Sequence, residues 1–160
     1  MRTVALVILV ALVVLGISAW VFVNSWSIGA ANPPGALERI IASHTKKFFV
    51  ERAAGAGLPQ ESASNADSIS NGHTIYGGSC AGCHGYDGRT PTTLGRSMSP
   101  QAPSLAEGGA QSWSNGELFV IVRDGLRMTG MPAFGSTEKS DEIWDLVHYI
   151  RSIPSTAPRH

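Results

Sequence analysis

The sequence predicts an all-α protein in three parts: an N-terminal membrane-spanning helix, an amphipathic juxtamembrane helix, and a small helical domain toward the C-terminus. Three observations predict it. The stretch Thr3–Val23 is apolar and uncharged over a length that would cross a bilayer core of roughly 30 Å as a helix. Apolar residues recur at spacings of three and four in several later segments. No segment alternates apolar and polar residues long enough to suggest a sheet.

The first element is the apolar run itself. A cleaved secretory signal is the alternative, since small residues stand at Ser27-Ile28-Gly29-Ala30, but signal cores usually run about 7–15 residues and this one is longer. Either reading exports the rest. Arg2 and the free amino group precede the run, and Asn24 to Leu37 carries no charge, so the positive-inside rule leaves the N-terminus in the cytoplasm. The expected location is the cytoplasmic (inner) membrane of a bacterium, single-pass, with the remainder in the periplasm. Residues 1–31 form this signal-anchor part.

The second part, 32–65, opens on the breaker cluster Asn32-Pro33-Pro34-Gly35, after which a helix restarts. From Ala36 to Ala54, Leu37, Ile40, Ile41, Phe48 and Phe49 fall mostly on one side, with Glu38, Arg39, Lys46, Lys47, Glu51 and Arg52 elsewhere. Two readings stay open: a surface for a partner subunit or the lipid interface, and a spacer helix packed on its own domain. Gly55 to Asn71 is small and polar, the composition of a flexible connection that would let the following domain swing near the membrane.

In the third part, 66–160, helices are expected over Gly72–Cys80, Asn115–Asp124 and Asp141–Ile153. Leu118, Phe119, Ile121 and Val122 supply the apolar face of the middle one. In the last, Ile143, Leu146, Val147 and Ile150 make a stripe, joined by Trp144 and Tyr149, that needs a core to face. No internal repeat appears.

Composition removes some functions. The 160 residues carry 12 basic and 12 acidic groups, so no positive excess marks a nucleic-acid binder. The two cysteines are three positions apart, too close to staple distant parts of a fold, and must have a local task. No Ser/His/Asp set, paired carboxylates beside a second metal motif, or glycine-rich phosphate loop is present, so neither catalysis by the chain alone nor a small-molecule substrate is expected.

That local task is legible in Cys80-Ala81-Gly82-Cys83-His84. Residues three apart share a helical face, so both sulfurs can bond one edge of a haem while His84 lies beneath the iron. A thioredoxin-like pair would need a βαβ context, and a structural zinc site would need four ligands with a second Cys/His cluster, which does not follow. The reading is one covalently bound haem c.

The run Gly72-His73-Thr74-Ile75-Tyr76, Cys80 to Gly85, Gly88, Ala102-Pro103-Ser104-Leu105, Gly130 to Gly135, and Trp144 to Ile150 resembles the class I c-type cytochromes, in their membrane-anchored monohaem bacterial form. The resemblance covers roughly the last 90 residues, in order, and leaves the anchor and the juxtamembrane helix outside it. It implies a small cytochrome c-type helical haem domain in which the thioether of Met131 is the second axial ligand opposite His84. Met128 and Met98 compete, but only Met131 is followed by the Pro-Ala-Phe-Gly of the family's ligand loop. It also implies that the Pro103 carbonyl accepts the proton on His84 Nδ1, and that Gly72 and Tyr76 cross the last helix near Leu146 and Tyr149. Arg127 and Trp113 are candidates for hydrogen bonds to the haem propionates. His44, His73, His148 and His160 are read as solvated or packed.

From Ala66 onward nine acidic residues face seven basic ones, so strong electrostatic steering onto an acidic partner is not expected. The expected function is single-electron transfer with redox protein partners, as a tethered shuttle or as a fixed haem subunit of a respiratory or photosynthetic membrane complex. A haem enzyme or gas sensor whose Met131 ligand is displaced is the reading from another class.

Overall fold

The computed structural model describes residues 2–25 and 34–153. Among them every regular element is a helix. The Ser27–Ala30 cleavage site, Asn32, Pro33 and His160 lie outside the described residues. Contacts divide the chain into two units at the Asn32–Pro33 junction.

The first unit holds α1 (Arg2–Ser25), an uninterrupted helix rich in leucine, valine, alanine and isoleucine with no charge after Arg2. It is long and apolar enough to cross a membrane, and none of that stretch is buried within the protein. In water its exposed Leu and Val side chains would be costly to hydrate; in hydrocarbon they are matched, and the helix satisfies its own backbone.

The second unit begins with α2 (Ala36–Gly55) and continues through α3 (Ala66–Ser79), α4 (Ala81–His84), α5 (Thr93–Ser97), α6 (Gly109–Ser112), α7 (Asn115–Asp124) and α8 (Ser140–Ser152). The α3–α8 pair is its most extensive helix contact. Glycine makes the crossing possible. A Cβ on Gly72 would stand 2.0 Å from the carbonyl oxygen of Asp145 and 2.9 Å from Cβ of Tyr149, so only a residue without one lets the backbones meet. Around this crossing Tyr76, Leu118, Phe119, Val122, Ile143, Trp144, Leu146, Val147 and Ile150 form one buried cluster. The α8 stripe read from the sequence lies inside it, and Phe119 and Trp144 stack at 4.4 Å between centroids.

Capping fixes where the helices begin. Ser114 caps α7 with a reciprocal box: Glu117 N–H donates to the Ser114 hydroxyl, and Ser114 N–H donates to the Glu117 carboxylate at 2.6 Å. Asn65 caps α3 by accepting the Ser68 N–H at 2.9 Å.

That cap corrects an expectation. The polar stretch read as a flexible connection over 55–71 ends at Asn65, and its last six residues are the first turns of α3, which therefore starts six residues before Gly72. What remains of the connection is held down. Leu58 packs against Gly116 of α7, and Glu61 accepts hydrogen bonds from Asn115 Nδ2 at 2.7 Å and from His148 Nε2 at 3.3 Å. His148, only 3% exposed, also meets the Ser68 hydroxyl at 2.7 Å through Nδ1, and that hydroxyl donates to Asp145 at 2.6 Å.

The α2 helix packs on α7. Val50 is its buried residue, and the Lys46 ammonium lies 5.9 Å from the Trp113 ring centroid. Leu37, Ile40, Ile41, Phe48 and Phe49 are 55–70% exposed, so the helix rests on its own domain by a side other than its apolar stripe.

Candidate functional site

The chain bends through Cys80 between α3 and α4. The Cys80 carbonyl accepts both Cys83 N–H (3.1 Å) and His84 N–H (3.0 Å), a single tight turn that keeps the two cysteines and the histidine together. The Tyr76 hydroxyl, buried against the core, donates to the Gly85 carbonyl at 2.6 Å and so anchors the far end of that turn. Burial holds the Tyr76 phenol above its usual range, and at ordinary pH it stays a donor. Gly85 has φ +84, and a Cβ there would stand 2.1 Å from the Thr90 carbonyl oxygen.

A second segment closes over the motif. Thr92 donates through its hydroxyl to the Gly82 carbonyl at 2.7 Å and through its N–H to the Cys83 carbonyl at 3.1 Å. Gly95 then lies so close that a Cβ would meet the Cys83 oxygen at 2.1 Å. Asp87 holds the intervening loop by accepting the N–H groups of Arg89 and Thr90, and those two bonds keep its carboxyl below the usual value.

The histidine is oriented by one contact. His84 Nδ1 stands 3.0 Å from the Pro103 carbonyl oxygen. A carbonyl can only accept, so the proton sits on Nδ1 and the Nε2 lone pair is left as a donor to a metal. Cys80 and Cys83 are unpaired and half-buried. Burial, reinforced by Glu138 and Cys83, pushes the Cys80 thiol up to about 12. Such a sulfur is neutral and packed, unlike the low-pKa thiolate of a redox pair or a zinc ligand. No group of three or more His, Cys, Asp or Glu side chains able to hold a metal ion occurs among the described residues. The donor set therefore suits a haem: two sulfurs on one turn beside an imidazole with a free Nε2.

Met131 lies on the loop after α7. Phe134 N–H donates to the Val122 carbonyl and Gly135 N–H to the Arg123 carbonyl, which occupies the unpaired end of α7 and pins the loop. Thr129 accepts Met131 N–H at 3.1 Å, and Leu126 N–H reaches the Met131 carbonyl at 3.3 Å. Met131 and Cys80 both pack against the core cluster. Met128 is 89% exposed with φ +64. Met98 is half-buried, with its sulfur 2.5 Å from where a Gly130 Cβ would stand, which places a second thioether beside the Met131 loop.

Of the remaining candidates, Trp113 is partly buried against the core; its ring faces Lys46, and its carbonyl accepts from the Arg151 guanidinium. Arg127 is exposed. The sequence missed Arg151, which also bonds Asn115 at 2.9 Å and both the backbone and side chain of Gln111. Its partners lie nearly 40 positions away, and no local pattern announces them. The Thr92 contacts, to Gly82 and Cys83 only 10 and 9 positions back, were missed because they join two loops with no periodic pattern between them.

The family model described as Cytochrome C oxidase, cbb3-type, subunit III matches residues 67–150, just over half the chain. No curated protein sequence matches. Among solved structures, a chain of a reducing HAO-like protein complex from Kuenenia stuttgartiensis is similar, with a TM-score of 0.54 and 23% identity over 62% of this chain. The match spans 49% of that protein's length, so the likeness is one of fold.

Proposed function

Because the chain belongs to the family of the cbb3-type cytochrome c oxidase subunit III, a c-type cytochrome family of haem-based electron transfer, we propose that it is a membrane-tethered monohaem cytochrome c. It carries single electrons between redox protein partners on the periplasmic side of the inner membrane. The observation that carries this reading is the 3.0 Å contact of Pro103 with His84 Nδ1 beside the Cys80–Cys83 turn, which leaves one nitrogen aimed as a ligand. Haem c, when bound, supplies the one-electron ferric/ferrous couple.

The residues divide the work. Cys80 and Cys83 would hold the group by thioethers, which would keep it in place were an iron ligand to let go. His84 would hold the iron through Nε2; its Nδ1–H donates to the Pro103 carbonyl, which fixes the ring plane and raises the basicity of Nε2. Met131 would supply the other iron ligand, a thioether, which would favour the ferrous state and raise the potential relative to two histidines. Arg127 has a guanidinium to offer a propionate, and Trp113, with its carbonyl taken by Arg151, has its indole N–H.

The test is spectroscopic. The full-length protein should be six-coordinate and low-spin in both redox states, and Met131→Ala should give a high-spin ferrous form that binds carbon monoxide at once while the haem stays attached. A low-spin Met131→Ala protein with an unchanged potential would exclude Met131 as the ligand. A second reading, a fixed haem subunit of a larger oxidoreductase, is favoured by the family's description as an oxidase subunit. Purification in mild detergent separates the two: a lone monomer marks the shuttle and a stable multi-subunit band the subunit.

A further inference from the structure

Met98 follows the last residue of α5, in a loop rooted at both ends beside the residues that hold His84. At its start the Thr92 hydroxyl donates to the Gly82 carbonyl and accepts the Gly95 N–H at 3.1 Å, and Thr92 N–H donates to the Cys83 carbonyl. At its end Ala102 N–H donates back to the Gly95 carbonyl at 3.0 Å, and the next residue, Pro103, holds His84 Nδ1. Between those roots, residues 96–101 are exposed with one exception, Met98, which is half-buried.

What Met98 meets is Gly130, the residue before Met131. A Cβ on Gly130 would have the Met98 sulfur at 2.5 Å and its Cγ and Cε at 3.2 Å, and these are the three nearest atoms to that position. Gly130 is not among the glycines with positive φ, so its backbone would accept an L side chain, and what opposes one is Met98. An unbranched thioether suits such a contact, since its three torsions let it follow an irregular surface. The Met131 loop is otherwise tied to α7, through Phe134 and Gly135, and to itself, through Thr129. Met98 gives it a contact from the segment bonded to the haem-attachment turn.

We propose that Met98 is a positioning residue for Met131: by resting on Gly130 it ties the ligand loop to the Cys80–His84 turn and keeps the Met131 thioether seated as an iron ligand. The inference rests on the reading of Met131 as that ligand. Met98 acts through Gly130 and not on the iron, so its volume matters and its sulfur does not.

The experiment uses the full-length, haem-loaded protein and reads the bond between the Met131 sulfur and the iron in three ways: the far-red charge-transfer band of the ferric form, the pH at which that band is lost, and the rate at which the ferrous form takes up carbon monoxide. Met98→Ala should lose the band at lower pH, bind carbon monoxide several-fold faster and show a lowered midpoint potential. Met98→Leu, which keeps the volume, should stay close to the unsubstituted protein. Gly130→Ala should disturb the same contact from its other side, and should do less in the Met98→Ala background than alone, because the side chain it would strike is gone. Met98→Ala with band, pH and rate all unchanged would overturn the proposal, even if its denaturation midpoint fell; strictly additive effects of Met98→Ala and Gly130→Ala would overturn it too. Met131→Ala is the control. If it abolishes the band while Met98→Ala moves nothing, the ligand stands and only the positioning role is lost; if it leaves band and rate unchanged, the ligand reading falls and the proposal with it. A Met131→Ala protein that stays low-spin until Met98→Leu is added would make Met98 itself a ligand, which also overturns the positioning role.

Discussion

At the scale of single residues, close approach decides more than charge does. Gly72 is the clearest case: a methyl group there meets a backbone oxygen at 2.0 Å, and neither helix can give way without disturbing the core behind it. Gly72→Ala should cost about 1–3 kcal/mol in a guanidinium melt, at the upper end for a core overpacked against backbone. Asp87 makes the corresponding electrostatic case. Its folded pKa lies below the ordinary 3.8 because it accepts two N–H groups, so its contribution is fully present above about pH 4 and is lost as the pH falls through the depressed value. Asp87→Asn keeps an accepting oxygen for the turn and removes the titration. A stability profile taken below pH 4 should therefore be flatter in the variant, whereas identical acid limbs would show that Asp87 is not responsible. At this scale the sequence was legible where chemistry is local in the chain: Cys80, Cys83 and His84 are named by their spacing, and Gly72 by its place in a family pattern. It read His148 only as solvated or packed and could not name its partners Ser68 and Glu61, 80 and 87 positions away.

Among the helices, boundaries follow caps. The Asn115–Asp124 helix was readable from its apolar face, and in the structure a Ser114–Glu117 capping box fixes its first residue. Ser114→Ala should destabilise the protein by about 1 kcal/mol, and Ser114→Gly by only a few tenths, because glycine is itself tolerated at a cap. The start of α3 was misplaced because its first six residues share the small, polar composition of a loop; the Asn65 cap that starts the helix shows only in the structure. The short α5 and α6, five and four residues, were not legible at all: neither is long enough to show a period. Amphipathicity alone left open what α2 packs against, since the pattern reports that an apolar face exists and not what covers it.

For the molecule as a whole, the consequence lies in the connection after α2. A chain read as a free swinging linker is a strap fastened by Leu58 and Glu61 onto α7 and α8. Leu58→Ala should cost about 1–2 kcal/mol, less than the 2–5 kcal/mol of a fully buried leucine because it is only partly covered. Amide exchange over 56–65 should accelerate with the haem spectrum unchanged. Exchange that is already fast in the unsubstituted protein would show that the strap is loose.

The two ends of α7 then acquire a mechanical meaning. Its first turn bears Leu58, with α2 packed along the same helix, and its last carbonyls, Val122 and Arg123, hold the loop that carries Met131. One ten-residue helix therefore joins the strap to the Met131 loop, so that the seating of Leu58 on its first turn and the position of that loop, 73 residues apart in the chain, are set by the same rigid body.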